Sequence, residues 1–384
     1  MVELINDTLV FQSDVHANAK CIIELQRTLR IPDDGKTYPL PPGLGRFPIQ
    51  HLDAHKERVP SNWMHRGGVI TPLYQSEALW LKFSSAGIDG QGRYPFAIKV
   101  AAGKVSAITG EEWKPSMTPN DYVVTPGQPW LDGYAVSKGK IRQFIAAPLG
   151  SGYTAEEQIT GKAEFGGIQI EVFPMKIDVF NRRFPYKPPV WEAASARISK
   201  NGGFSGFSGG ITTNSLKAQS AGRGPMRSRG SAGRGQSMNS GLYSPQMDSM
   251  SMDLPSMGLG AGGQMEQTIQ KDPFDFNDWD TSRGQRVFIH LANSLVWRAI
   301  TGQEPPHPPP TAADYTRQGF PWFDYYQDGP ALDGTAKLAN LKSVAQLDQQ
   351  KYGAPVLPEN ASTHPIHVVQ LGDKNPNKIR EGTW

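Results

Sequence analysis

Gly150-Ser151-Gly152 stands between a predicted strand, Ile141 to Ala147, and the pair Thr154 and Glu157, whose i, i+3 spacing is that of a helix capping box. A strand, a glycine loop and a helix N-terminus together present free backbone N–H groups, the arrangement that cradles an anion. Gly150, Ser151, Gly152 and Thr154 are therefore the candidate ligand-binding residues, with a nucleotide, a phosphosugar or a carboxylate as the ligand class. Glu156 and Glu157 weigh against this reading, since acids in the first turn already complement the helix dipole and repel a phosphate. The competing reading is an ordinary loop entering a short capped helix, and no phosphate-loop Lys-Ser/Thr pair follows.

His51 and His55 are four apart, with Asp53 between them and His65 further on. On a helix the first two would share one face, as a zinc site needs. Pro48 and Pro60 bracket the segment, however, and no third ligand is identifiable. The acids Asp272, Asp275, Asp278 and Asp280 lack the glycine and closing Glu of a calcium loop, and Asp278 and Asp280 read instead as N-terminal partners of a helix. Gly206-Phe207-Ser208-Gly209-Gly210 fits a nucleophile elbow and Gly258 to Gly263 a dinucleotide loop. Neither follows a predicted strand, so both are discounted. No Ser/His/Asp triad or catalytic carboxylate pair assembles from spacing. No catalytic residue, metal or cofactor is assigned, and the chain is expected to be non-enzymatic.

Two segments offer binding chemistry instead. Residues 202–247 carry no acid but five cations, Lys217, Arg223, Arg227, Arg229 and Arg234. Arginine beside glycine, with Phe204, Phe207 and Tyr243 nearby, has the make-up of RNA-associated segments. Arg223, Arg227, Arg229 and Arg234 are the candidate nucleic-acid residues, although five charges over such a length give a weak signal. Clustered methionines there suit an adaptable contact surface. The run from Phe320 to Tyr326 is too aromatic to leave in water, so Trp322, Phe323, Tyr325 and Tyr326 form either core or a partner surface.

The elements that would position these residues follow from composition and pattern. Glycine (41) and proline (32) make up nearly a fifth of 384 residues, which signals many turns. The formal charge of +3 gives no whole-molecule field for nucleic acid or anionic lipid. A single cysteine, Cys21, excludes an internal disulfide framework and sits in an apolar run. Residues 1–198 read as short strands, among them Cys21–Leu25, Ala78–Phe83, a hairpin around Gly103, another around Gly139, and Gly167–Phe173. Residues 199–266, rich in Gly, Ser, Met and Arg, read as a disordered linker or insertion. Residues 267–384 read as mainly helical: one helix from Asp280–Ser282 to Gly302, a second over 312–318, and a third capped by Ser343. A stiff polyproline connector, Pro305 to Pro310, lies between the first two. His367 to Leu371 reads as a last strand.

The expected fold class is thus α+β: a β-rich N-terminal body, an antiparallel sandwich or barrel-like, with a smaller helical C-terminal region packed on it. With no secretory pattern and no apolar run of membrane-spanning length, a cytoplasmic, non-membrane protein is expected. The leading functional reading is a non-catalytic interaction or structural protein that self-associates or binds a protein partner. The alternatives are a ligand-binding protein or enzyme with its pocket at residues 148–157, and an RNA-associated protein acting through the Arg-Gly segment.

Overall fold

The structure is a computed structural model that describes residues 1–188, 256–311, 322–325, 330–353, 365 and 368–371. Met1–Lys187 and Met252–Trp384 make up one compact unit. The other, Pro188–Ser251, lies outside the described residues apart from Pro188.

The first unit is built on a large, mainly antiparallel sheet. Its ladder starts with the Val2–Ile5 and Thr8–Gln12 hairpin, whose turn residues Asn6 and Asp7 both have positive φ, the twist that suits a two-residue hairpin. Thr8–Gln12 pairs with Lys20–Leu29, which pairs with Glu77–Ser85, which in turn meets Lys140–Pro148. The ladder continues through Met257–Glu266, Gln285–Ala292, Ile168–Pro174 and Phe96–Ala102, and ends at Val123–Thr125. Val69–Pro72 adds to Gln285–Ala292 in parallel. The alternation read in the sequence is the cause: in Lys20–Leu29 the side chains of Cys21, Ile23 and Leu25 are buried while Ile22 and Glu24 are not. Leu9, Ile23, Phe83, Ile98, Phe144 and Ile170, from strands along the whole ladder, share one hydrophobic core.

Two sequence expectations are corrected here. The tail of the expected linker is a strand: Met257–Glu266 pairs along its length with Lys140–Pro148. Its glycines made it look like low-complexity sequence, yet Met257, Leu259, Ala261 and Met265 are buried in the core. Gly258, Gly260 and Gly262 share the other face, where a Cβ would lie 2.8–2.9 Å from Thr154, Val344 and Ile145 side chains. The helix expected from Asp280 to Gly302 is a strand, Gln285–Ala292, followed by a shorter helix, Ser294–Thr301. Val287, Leu291 and Leu295 fit a helical period, but Val-Phe-Ile-His-Leu also fits a buried strand, and two flanking strands decide the matter. The helix starts where Asn293 accepts the Val296 N–H at 2.8 Å and ends at Gly302 in the left-handed region.

The Ser343-capped helix forms as Val344–Tyr352, with its capping box complete. It packs on the glycine face of Met257–Glu266 through Val344 and Leu347, against Ala147 and Tyr153. The expected helix over 312–318 and residues 199–255 of the expected linker lie outside the described residues. Among the described residues, no helix is long and apolar enough to cross a membrane.

Candidate functional site

The glycine loop is built as its sequence implies, from a strand ending at Pro148 to a helix over Ala155–Thr160. Gly150 and Gly152 have φ of +91° and +78°, which is why glycine stands at both positions. Two of the N–H groups that an anion would need, those of Gly152 and Thr154, are taken by the chain itself. One oxygen of the Glu157 carboxylate accepts from Gly152 N–H at 2.8 Å; the other accepts from the Thr154 N–H and hydroxyl. Lys351 donates to the Ser151 carbonyl and stands 3.9 Å over the Tyr153 ring, whose hydroxyl donates to Asp348 at 2.6 Å. Ser151 itself donates to the Pro148 carbonyl. The loop thus serves as a dock for the Val344–Tyr352 helix.

Other buried titratable groups are likewise tied into the scaffold. Glu156 is buried and accepts from the N–H groups of Phe165 and Gly166, and burial raises its carboxyl above the ordinary range against the pull of those donors. Lys99, 1% exposed, donates to the carbonyls of Lys114 and Ser116, lies 3.6 Å from Asp121 and stacks on Trp113. His290 stacks on Trp63 at 4.5 Å, and burial lowers it to about 4, so it stays neutral at neutral pH. Burial pushes the Cys21 thiol far above its usual range, which leaves it unreactive.

An open concavity of about 430 Å³ borders the Ala155–Thr160 helix at Gln158 and Ile159, and two others lie elsewhere. A glycine-rich hairpin, Gly87–Ile88 with Gly92–Arg93, folds over Phe184 at the end of the Ile177–Arg183 helix. Gly90 (φ +71°) is needed twice over, since a Cβ there would also lie 2.4 Å from the Tyr186 ring. Two adjoining clefts of about 490 and 500 Å³ share Gln91, Gly92 and Phe184. The larger is lined by Pro95, Val124, Pro126, Phe184, Pro273 and Phe274. Phe274 is held edge-on by Trp279 and Phe184, with Arg183 above it at 5.4 Å. Arg183 is anchored by Asp278 at 2.6 Å. Arg93 and Lys187 add exposed cations to the walls, against the single acid Asp89. Chemically this is an apolar slot with a basic rim.

Sequence reasoning missed this slot because its walls come from four distant segments and none carries a motif. Only the Pro and Gly punctuation and the isolated Phe184 and Phe274 could have pointed to it. Of the other candidates, Trp322, Phe323 and Tyr325 fall in a strand, Trp322–Tyr325, paired in parallel with Val368–Leu371, while Tyr326 lies outside the described residues. Arg223, Arg227, Arg229 and Arg234 also lie outside them. His51 is exposed, His55 bonds to Gln50, and His65 bonds to the Ser61 carbonyl. Asp275, Asp278 and Asp280 cap short 3-10 turns, and Asp272 accepts from Tyr122 and Trp279. Among the described residues, no group of three His, Cys, Asp or Glu could hold a metal. The chain matches no protein-family model, no curated protein and no solved structure.

Proposed function

We propose that this chain is a non-catalytic, cytoplasmic interaction protein that grips an apolar segment of a partner protein in the cleft between Gly92 and Phe274. The carrying observation is the cleft's lining: proline and phenylalanine side chains with no buried acid or base aimed into the space. Such a surface offers desolvation and shape to an aromatic or branched side chain, at about 1.5–3 kcal/mol for each one buried. Arg93 and Lys187 favour acidic flanks on that segment. We read the sheet as wrapped barrel-like around its core. In support, Gln285 donates to the Gln12 carbonyl and Arg283 pairs with Asp14, drawing the first hairpin to a late strand. A rigid frame of this kind would hold the cleft preformed.

The test uses an anionic naphthalene sulfonate dye and a set of synthetic peptides, each with an aromatic pair between acidic flanks. The wild type should show one saturable dye site, displaced by the peptides, with affinity of about 10 µM to 1 mM. Pro273→Asp, which sets a carboxylate at an exposed position of the cleft, should weaken both by about tenfold. Dye binding that does not saturate, or that ignores Pro273→Asp, would overturn the reading.

A further inference from the structure

A second groove, separate from the cleft, holds the proline connector. We propose that Arg27, Phe47, Tyr74 and Glu77 form a receptor site for proline-rich segments, filled in this structure by the chain's own Pro305–Pro310. The site is built around one buried ion pair, Arg27 to Glu77 at 2.9 Å, with Glu77 1% and Arg27 5% exposed. One Glu77 oxygen holds Arg27 Nε, and the other accepts the Tyr74 N–H at 3.0 Å. Both anionic acceptors are thereby used, which leaves two donors facing outward. Tyr74 hydroxyl donates to the His307 carbonyl at 3.0 Å, and Arg27 Nη2 donates to the next carbonyl, Pro308, at 3.1 Å.

These two outward donors match the chemistry of the occupant. Proline has no N–H, so a proline run presents carbonyl acceptors and ring faces alone. The rings meet an apolar wall: Phe47, Pro48 and Pro72 line the contact, and Phe47 also lies 5.9 Å under the Arg27 guanidinium. About 10 Å³ remains in the gap between strap and groove, no more than the space of a single water. The strap bends at Pro306–His307, which brings two consecutive carbonyls to the two donors, and Pro310 is buried while Pro308 and Pro309 stay exposed. A stiff, low-entropy segment bound through carbonyls on an aromatic groove is the general mode of proline-rich recognition. The site reads carbonyls and proline rings together, and the same segment from a second copy of the chain presents the same groups as the resident one.

The probe is a fluorescein-labelled peptide with the sequence of residues 303–311, and a control with every proline replaced by alanine. In the full chain the five prolines of the strap are replaced by serine to vacate the groove, and peptide binding is read by anisotropy. The vacated chain should bind the proline peptide at least tenfold more tightly than the wild type, ignore the alanine peptide, and lose at least fivefold on adding Tyr74→Phe. A folded vacated chain that binds neither peptide, or both equally, overturns the proposal. Should the vacated chain fail to fold, displacement decides. The wild type carrying His307→Cys is labelled with an environment-sensitive dye, which buried Cys21 does not take up. Proline peptide at roughly 10 mM, above the millimolar effective concentration of a tethered segment, should release the strap and shift the dye toward its solvent spectrum. The alanine peptide should not, and absence of displacement by the proline peptide refutes the site.

Discussion

Glu157 shows how a local signal can be right about geometry and silent about use. Its partner Thr154 lies three residues away, so the capping box was legible from spacing. That the same carboxylate also takes the Gly152 N–H follows from a loop shape that spacing does not report. Asp132 was not legible at all, because its surroundings come from residue 267: Gln267 donates to its carboxylate at 2.8 Å and accepts its N–H at 3.0 Å. Burial raises the Asp132 carboxyl from 3.8 to about 7, partly offset by a hydrogen bond with Trp130. The folded chain therefore holds a proton that the unfolded chain releases between those two values, so this group's contribution to stability falls as pH rises from about 4 to 7 and is level beyond. Asp132→Asn keeps the shape and the Gln267 bond without the charge. In urea melts its advantage over the wild type should be near zero at pH 4, grow through neutrality to more than about 1 kcal/mol, and hold constant at pH 8. An advantage independent of pH would mean that Asp132 is ionised throughout.

At the scale of elements, the strands with clean alternation were legible and the two that break a simple rule were not. Lys20–Leu29, Glu77–Ser85 and Ile168–Pro174 stand where β-branched and apolar runs predict them. Met257–Glu266 was hidden because glycine carries no hydrophobic signal, yet here alternate glycines are what lets a second layer approach. At Gly260 a Cβ would stand 2.9 Å from Val344 Cγ2 and 3.0 Å from the Tyr153 carbonyl. Gly260→Ala should accordingly cost about 1–3 kcal/mol by overpacking. Val344→Ala removes one of the two obstacles. The double variant should then lose less than the sum of the single losses by more than about 0.5 kcal/mol in a double-mutant cycle. Strict additivity would mean that the Val344–Tyr352 helix does not press on this strand.

On the scale of the whole molecule, order along the chain and order in space differ. Met257–Glu266 pairs from Lys140↔Glu266 to Pro148↔Met257, and Gln285–Ala292 lies between Ile168–Pro174 and Val69–Pro72. Both strands come after Pro188–Ser251, yet they pair with strands that precede it, so neither side of that segment owns a complete ladder. Nearly continuous burial of Met257, Leu259, Ala261, Ile289 and Leu291 adds an apolar term to the broken hydrogen bonds if the two sides part. A site-specific protease sequence inserted between Lys187 and Ser256 tests this directly. After complete cleavage the two pieces should co-elute as one body and unfold in a single cooperative transition, separating only in denaturant. The later piece expressed alone should show no cooperative melt, because its two sheet strands then have no partners along most of their length. Spontaneous separation of the cleaved pieces in native buffer would show that the late strands are appended to the sheet rather than part of its core.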